Sequence, residues 1–258
     1  MSALVEAAVL AGGPAGGVVA ESTGVAHRML VPVAGQPMVV RTLERLRQAQ
    51  TIGRLVVAAH SAVQEHLPAG LADMVVPGES TFVGNLMALA EAIGVERAML
   101  ACTGDMPLVT PQAVDDFVTR SAESGAEVCY CAVPREDSER LFPGGRRTYV
   151  RLREGTFTGG NLTYLGPGFV PGHQDVIERL FEYRKRPVKL AGMLGLSFVL
   201  GLALGTLSLS AVERRAGRIL RCRAAVIVSH HAELGFDVDK LEDLETLRLV
   251  MSGQEPPE

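Results

Sequence analysis

The sequence predicts an α/β fold built on a doubly wound, mostly parallel β-sheet. Through the first half of the 258-residue chain, short apolar runs of the strand type alternate with longer runs of the helical type. Most of these short runs lack polar alternation, as expected for parallel strands covered by helices on both faces. Ligands of such sheets bind at the carboxyl ends of the strands, so we expect the functional residues there.

Eight strands are predicted along the chain. In the first half they cover residues 7–10, 55–59, 74–76, 98–102 and 128–133. In the second half they cover residues 149–153, 162–165 and 224–228. Gly155 and the pair Gly159-Gly160 predict a glycine-rich loop between strands 149–153 and 162–165.

Helices are predicted between and after these strands. The clearest has Thr110 as its N-cap, Pro111 as its first residue and Gly125 at its end. The predicted helices cover 37–50, 83–93, 111–124, 174–184 and 240–251, and the polar residues 253–258 are expected to fray.

One uncharged apolar segment, 190–212, is long enough to cross a bilayer and contains the small-residue pattern of packed membrane helices. Its hydroxyl residues dilute the run, both flanks are basic, and no aromatic belt marks either end. Ser210 and Glu213 form a capping-box pattern that predicts a new helix starting near Ala211. We therefore expect a single domain, 1–258, with 187–222 as an apolar helical insertion or lid, and keep a membrane or lipid contact as the alternative.

The composition limits the class of function. The chain is 47% hydrophobic and 21% charged, has a formal net charge of −4 and contains no long run of lysine or arginine. These values indicate a folded protein, argue against nucleic acid as the main partner and favour small-molecule ligands. The four cysteines include no C-x-x-C pair and are interpreted as reduced thiols. No signal peptide is recognisable, so a cytoplasmic location is expected.

The first predicted strand ends in a glycine pair that leads towards a basic residue. Ala11, Gly12 and Gly13 follow the apolar run, and a glycine-rich stretch continues to Arg28. Glycine allows backbone N–H groups to surround phosphate oxygens, and a basic residue adds a full positive charge. The pattern indicates a triphosphate site, and tight packing of the turn is the alternative.

Three aspartates are candidates for holding a divalent metal ion. Asp105 follows the fourth predicted strand, and Asp237 and Asp239 lie two residues apart in an extended segment, so that they point the same way. Neighbouring carboxylates repel each other unless a cation lies between them, and Mg²⁺ prefers such oxygen ligands. The alternatives are that Asp105 caps a turn before Pro107 and that Asp239 caps the last helix, with Glu242 completing a capping box.

One further basic pair has a weaker signal. Arg146 and Arg147 follow two glycines, where surface exposure is expected and contact with an anionic acceptor is the alternative. These residues are therefore not assigned to the site.

Five motifs, in order along the chain, resemble the MobA-like nucleotidyltransferase superfamily. They are LAGG at 10–13, the basic residue before MLVPVAGQPM at 29–38, TGDMP at 103–107, TGGN at 158–161 and DVDKLEDLE at 237–245. Members include molybdenum cofactor guanylyl- and cytidylyltransferases and sugar-phosphate cytidylyltransferases. The resemblance covers nearly the whole chain, the apolar insertion least well, and implies a Rossmann-like fold of the nucleotide-diphospho-sugar transferase type.

The resemblance implies a role for each motif. The residues that would line the base and phosphates of an NTP are Leu10, Ala11, Gly12, Gly13 and Gly104, with Asn85 as a base or ribose contact. Arg28 and Asp105 would be catalytic, Asp105 would hold Mg²⁺ with Asp237 or Asp239, and Gly159, Gly160 and Asn161 would contact the acceptor. An acceptor oxygen would attack the α-phosphorus in line, and pyrophosphate would leave.

Two departures from the family pattern concern the positive charge of the site. Family members usually have lysine where this chain has Arg28, and many have an arginine soon after the LAGG turn, where this chain has none. The predicted function is Mg²⁺-dependent transfer of NMP from an NTP, GTP or CTP, to a small phosphorylated or acidic acceptor. A catalytically degenerate nucleotide-binding or regulatory module and a membrane-associated transferase with a lipid-like acceptor are the alternatives. The base, the acceptor and the oligomeric state stay open, a homodimer being one option.

Overall fold

The computed structural model describes residues 4–145, 147–183 and 186–252. The strands are β1 (Val5–Ala11), β2 (Pro32–Val33), β3 (Gln36–Pro37), β4 (Ile52–Ala59), β5 (Met74–Pro77), β6 (Met99–Thr103), β7 (Val128–Pro134), β8 (Val150–Leu152), β9 (Gly155–Leu165) and β10 (Ala224–Val228). The predictions for residues 184, 253–258 and Arg146 lie outside the described residues.

Twelve α-helices and two short 3₁₀ turns are found in the described part of the chain. The α-helices are α1 (Val18–Thr23), α2 (Met38–Arg47), α3 (Ser61–Gln64), α4 (Phe82–Ile93), α5 (Pro111–Ser124), α6 (Arg135–Leu141), α7 (Phe169–Gly172), α8 (Gln174–Tyr183), α9 (Pro187–Leu194), α10 (Leu196–Ala203), α11 (Leu209–Leu220) and α12 (Leu241–Ser252). The 3₁₀ turns cover Arg28–Leu30 and Ala232–Gly235.

One eight-stranded sheet organises the molecule. Its spatial order is β10-β7-β9-β6-β1-β4-β5, with β8 paired to β9. β1 pairs in parallel with β4 and β6, and β4 with β5 and β7 with β10 are also parallel. β9 is antiparallel to β6 and β7. The predicted mostly parallel α/β sheet is confirmed, with β9 as a reversed strand inside it.

The sheet is covered on both faces because its strands alternate between two apolar cores. In β1, Ala7, Val9 and Ala11 pack with α2 and α5, and Ala8 and Leu10 pack with α4 and α7. All five side chains are buried. Burial on both faces explains why these strands read as continuous apolar runs.

The glycine-rich loop predicted around Gly159-Gly160 is wrong, because both residues lie inside strand β9. The register between β7 and β9 shifts between Tyr130 and Ala132, which places a bulge at residues 160–162, next to the paired Gly159. A Cβ on Gly159 would lie 2.3 Å from the Tyr130 hydroxyl, and one on Gly160 would lie 2.5 Å from Cys131 Sγ. The glycines therefore allow close approach of two strands, which sequence alone does not distinguish from a loop.

The predicted caps of α5 are confirmed. Thr110 precedes the helix and its hydroxyl accepts a hydrogen bond from Ala113 N–H at 3.3 Å. Gly125 closes the helix in the left-handed conformation, with φ 64°. A side-chain acceptor at the start and a glycine at the end stop the helix at both sides.

The apolar segment folds as three short helices, α9, α10 and α11. Gly195 and Gly205 separate them with φ values of 84° and 65°, a backbone conformation that interrupts an α-helix. None of the described helices is long and apolar enough to cross a membrane. A membrane or lipid contact of this segment stays a prediction.

The start of α11 differs from the prediction. The Ser208 hydroxyl, and not that of Ser210, accepts a hydrogen bond from Ala211 N–H, so the helix begins at Leu209. The Glu213 carboxylate accepts instead from Val226 N–H at 2.9 Å in β10. Glu213 thus ties the helix to the sheet and does not complete a capping box.

Candidate active site

The LAGG turn lies at the carboxyl end of β1, against the start of α4. The Ala11 carbonyl accepts a hydrogen bond from His60 N–H at 3.2 Å, and Gly13 N–H donates to the Glu79 carbonyl at 3.1 Å. A Cβ on Gly12 would lie 2.4 Å from Asn85 Oδ1. Glycine is therefore required at position 12 for the turn to pack against α4.

Asn85 has a structural task in this turn. Its side chain is buried, its Oδ1 accepts from Glu79 N–H at 2.9 Å, and its Nδ2 donates to the Glu79 and Thr81 carbonyls at 2.8 and 2.7 Å. Both amide hydrogens are thus used within the protein. The sequence prediction that Asn85 contacts the base or ribose stays a prediction, and the observed bonds show that it positions the glycine turn.

Arg28 begins the 3₁₀ turn Arg28–Leu30, which His27 caps by accepting a hydrogen bond from Met29 N–H at its Nδ1. The guanidinium contacts two carboxylates. Nη2 lies 2.9 Å from Asp105 Oδ2, and Nη1 bonds Asp239 Oδ1. Burial opposes the positive charge, but the two carboxylates outweigh it and raise the pKa of Arg28. Arg28 therefore connects two distant parts of the chain.

Asp105, Asp237 and Asp239 form one group, here called the carboxylate cluster. One oxygen from each lies within 4.8 Å of the other two. Val238 N–H donates to the Asp105 carbonyl at 3.2 Å, and this backbone bond fixes the 237–239 segment beside the end of β6. The three aspartates that the sequence analysis selected are thus brought together.

The carboxylate cluster is electrostatically unfavourable without a cation. Asp105 is only 1% exposed, and burial raises its pKa to about 6, with Asp237 and Asp239 adding to the rise and Arg28 opposing it. Burial and Asp239 also raise the pKa of Asp237, against the opposing charge of Arg147. Asp105 Oδ1 has no hydrogen-bond partner among the described residues. A buried oxygen of this kind is available to a cation.

The capping alternatives for the aspartates are wrong in the described structure. No described backbone N–H donates to the Asp105 carboxylate, so it does not cap the turn before Pro107. At the start of α12, the Asp243 carboxylate accepts from the N–H groups of Asp239 and Lys240 at 3.1 and 2.9 Å. Asp243 therefore takes the capping role, which leaves the Asp239 carboxylate to Arg28.

Arg147 is a site residue that the sequence analysis missed. Surface exposure was expected, but the side chain is 13% exposed and its Nη1 lies 2.7 Å from Asp237 Oδ1. Its guanidinium also lies 5.0 Å above the centre of the Phe236 ring. The two partners are 90 residues apart in sequence, so no local pattern reveals the pair.

Two histidines below the LAGG turn were also missed. The His27 and His60 rings stack with centroids 5.2 Å apart, and His27 is 1% exposed. Burial, with His60 and Arg28 adding to it, lowers the pKa of His27 to about 4. His27 is therefore neutral near pH 7. It lies between Arg28, its neighbour in the chain, and the LAGG turn.

The acceptor candidates lie in the next strands of the sheet. Leu10 pairs in register with Thr103, and Cys102 pairs with Leu162, so Asn161 follows at the level of Thr103. Gly104 N–H donates to the Leu10 carbonyl at 3.0 Å. Gly160 and Asn161 line a cavity together with Leu10 and Thr103. Gly159 lies beside Tyr130, and no described hydrogen bond or ion pair joins these acceptor candidates to the carboxylate cluster.

A model of the MobA-like NTP transferase domain matches residues 7–186, ending immediately before α9. A probable molybdenum cofactor guanylyltransferase of Thermococcus kodakarensis is 31% identical over 116 residues, which are 45% of this chain and 55% of that protein. A 3-deoxy-manno-octulosonate cytidylyltransferase of Serratia proteamaculans is 30% identical over 125 residues, 47% of this chain and 50% of that protein. The chain thus matches about half the length of these curated relatives.

A solved structure resembles the chain over most of its length. A hypothetical transferase from Thermus thermophilus is 38% identical in sequence, with a TM-score of 0.83. The match covers 93% of this chain and 100% of that chain. The family model contains the LAGG turn, Arg28, Asp105 and Asn161 within its bounds. The chain belongs to the MobA-like NTP transferase family.

Proposed function

We propose that this chain is a Mg²⁺-dependent nucleotidyltransferase. It moves the NMP group of an NTP, GTP or CTP, to a small phosphorylated or acidic acceptor and releases pyrophosphate. The observation that carries the proposal is the carboxylate cluster beside the LAGG turn, at the carboxyl ends of β1 and β6. The family and the guanylyl- and cytidylyltransferase relatives support it.

The donor atoms of the carboxylate cluster fit Mg²⁺. Three carboxylates converge, all hard oxygen donors, and the buried Asp105 Oδ1 has no described partner. Burial and the neighbouring carboxylates raise the pKa of Asp105 and of Asp237, and a bound cation would oppose both effects by stabilising the ionised forms. Mg²⁺ held there would neutralise negative charge on the carboxylates and on the phosphate oxygens.

The protein's own groups position the two substrates. The backbone at Gly13 faces open space where phosphates could lie, since a Cβ there would meet no described atom within 4 Å, although its N–H already donates to the Glu79 carbonyl. Leu10, Ala11 and Gly104 form the floor at the strand ends. Arg28 exchanges a carboxylate for phosphate oxygens when the nucleotide arrives, and its planar guanidinium can contact two of them.

The chemical step is a displacement at the α-phosphorus. An oxygen of the acceptor's phosphate forms a new bond to the α-phosphorus. At the same time the bond between the α-phosphorus and the oxygen that bridges it to the β-phosphorus breaks. The electron pair leaves with pyrophosphate, and a fully ionised phosphate monoester has no proton to lose. Catalysis then consists of alignment and charge neutralisation by the site.

Pyrophosphate release tests the proposal. Purified protein is incubated with Mg²⁺, each of the four NTPs and a panel of phosphorylated and carboxylate acceptors. We expect release with GTP or CTP that falls by about 100-fold or more in Asp237→Asn and stays near wild type in the exposed control Asp175→Asn. No release with any pair, together with no NTP-dependent rise in melting temperature, would overturn it.

A nucleotide-binding module without turnover is the second candidate, and one observation favours it. Arg28 is bonded to Asp105 and Asp239, and residues 12–17 after β1 contain no arginine or lysine. A protein of this kind would bind NTP but release no pyrophosphate. The double variant Ala15→Arg with Arg28→Lys restores the usual family charges, and turnover appearing only in that variant would support this candidate.

A further inference from the structure

A cavity of about 690 Å³ opens beside the candidate active site. It lies over β1, β6, β9 and β7, and helices α4, α7, α8 and α11 form its other walls. Its size is typical of small-molecule sites. Among the residues that line it are Leu10, Phe82, Tyr130, Ile177, Phe181 and Leu220. None of the described residues lining it carries a charge.

The cavity lies on the acceptor side of β1. The LAGG turn makes its contacts towards β5 and α4, through Glu79 and Asn85. The cavity extends in the opposite direction, across the strands that carry Thr103 and Asn161. Its occupant therefore adjoins the nucleotide site without lying in the glycine turn.

Among the described residues of the wall, two buried polar atoms make no hydrogen bond, Thr103 Oγ1 and Asn161 Nδ2. Asn161 Nδ2 is buried and makes no hydrogen bond to any described residue. An unpaired amide N–H in an apolar wall is costly, and an oxygen atom of a ligand would satisfy it. The stacked rings of Phe82 and Phe181, with centroids 4.5 Å apart, provide an aromatic surface on another side of the cavity.

We infer that the acceptor is an amphipathic phosphate monoester whose uncharged body, aromatic or branched hydrocarbon, fills this cavity. This inference rests on the proposed function, in which an oxygen of the acceptor's phosphate attacks the α-phosphorus of the nucleotide. Asn161 bonds one oxygen near the junction of phosphate and body. An acceptor with a sugar body fits less well, because the described wall offers few polar partners for several hydroxyl groups.

Direct binding tests this inference independently of turnover. The probes are phenyl phosphate and 3-methylbutyl phosphate, compared with methyl phosphate and glucose 1-phosphate at equal charge. Dissociation constants are measured by calorimetry with and without Mg²⁺ and the α,β-methylene analogues of GTP and CTP. We expect the two hydrocarbon probes to bind at least ten-fold more tightly, about 1.4 kcal/mol, than methyl phosphate.

Cavity-filling variants locate the binding. Ile177→Trp from α8 and Leu220→Trp from α11 place an indole in the cavity from two walls and should each remove the preference for hydrocarbon probes. Glu178→Trp is the matched control, because Glu178 is the exposed neighbour of Ile177 on the same helix, and it should keep the preference. Melting temperatures identify any variant that does not fold.

Three results would overturn the inference. The first is equal binding of methyl and phenyl phosphates by the wild type, and the second is a preference for hydrocarbon probes that survives in both filled variants. The third is that the filled variants lose nucleotide binding but keep probe binding, which would assign the cavity to the base. Pyrophosphate release with glucose 1-phosphate at wild-type rate in the filled variants would contradict the inference while supporting the proposed function. Tight hydrocarbon binding without Mg²⁺-dependent NTP binding would count against the proposed function alone.

Discussion

Arg28 Nη2 lies 2.9 Å from the Asp105 carboxylate, and the same guanidinium bonds Asp239. Arg28 therefore joins two of the three aspartates of the carboxylate cluster. Asp237, the third aspartate, pairs with Arg147, so two guanidinium groups face three carboxylates and the described cluster is short of one positive charge. A cation that entered the cluster would free Arg28 for the phosphates of a nucleotide.

Replacing Arg28 separates its charge from its shape. Arg28→Gln should lower kcat/KM for pyrophosphate release by about 100-fold or more, because no other positive charge in the turn compensates. Arg28→Lys keeps the charge but not the planar two-point contact and should lower it by roughly ten-fold or less. Steady-state kinetics with saturating Mg²⁺ measure both effects, and equal losses in the two variants would mean that charge is not what Arg28 contributes.

Asp105→Asn should stabilise the protein while removing its function. The raised pKa of Asp105 means that its ionised form is less favourable in the folded than in the unfolded chain, so its charge costs free energy at pH 8. Without metal, we expect the free energy of unfolding to rise by about 1–3 kcal/mol at that pH. Urea unfolding in EDTA measures it, with Asp116→Asn, which removes a surface pair with Arg120, as a control near zero. A destabilised Asp105→Asn would refute this account of the cluster.

His27 should make stability fall in mild acid. Its pKa is about 4 in the folded protein and near 6.5 in the unfolded chain, so between these values the unfolded chain binds more protons. The stabilisation is complete above about pH 6.5 and is lost as the pH falls towards 4, by up to roughly 3 kcal/mol. His27→Asn keeps an acceptor for the Met29 N–H and should flatten this dependence. Parallel curves for wild type and His27→Asn would rule this out.

Gly12→Ala should weaken the nucleotide site through Asn85. The added Cβ would lie 2.4 Å from Asn85 Oδ1, so the amide must move and its bonds to Glu79 would be disturbed. We expect a loss of about 1–3 kcal/mol in stability and weaker NTP binding. Gly192→Ala is the control, because its Cβ would meet no described atom within 4 Å in helix α9. Thermal melts with and without NTP show whether Gly12→Ala departs from that control.

Local signals account for the parts of the fold that the sequence predicted well. Thr110, Pro111 and Gly125 act within one helix, and strand β10 covers the predicted residues 224–228 because its apolar run is short and bounded. The glycines of β9 predict a loop from sequence alone, because a bulge and a turn favour the same residues. Only the partner strand distinguishes the two.

In the candidate site, too, local features could be predicted from the sequence and long-range contacts could not. Asp105, Asp237 and Asp239 could be selected because each lies at the edge of an element and offers a metal ligand. Arg147 and the stacked pair of His27 and His60 could not, since each contact joins distant segments and depends on tertiary packing. The sequence indicates which residue types could bind a metal ion, but it does not indicate which residues they contact in the folded chain.

The central claim is that the carboxylate cluster holds a divalent cation together with the nucleotide. Mn²⁺ binding tests this claim most directly, because Mn²⁺ substitutes for Mg²⁺ and its free electron paramagnetic resonance signal disappears when it binds. Titrations use GTP and CTP with wild type and with Asp105→Asn, which is expected to remain folded. We predict that NTP and Mn²⁺ bind the wild type cooperatively and that Asp105→Asn weakens Mn²⁺ binding by at least about ten-fold. Equal Mn²⁺ binding by the two proteins in the presence of nucleotide would contradict the claim.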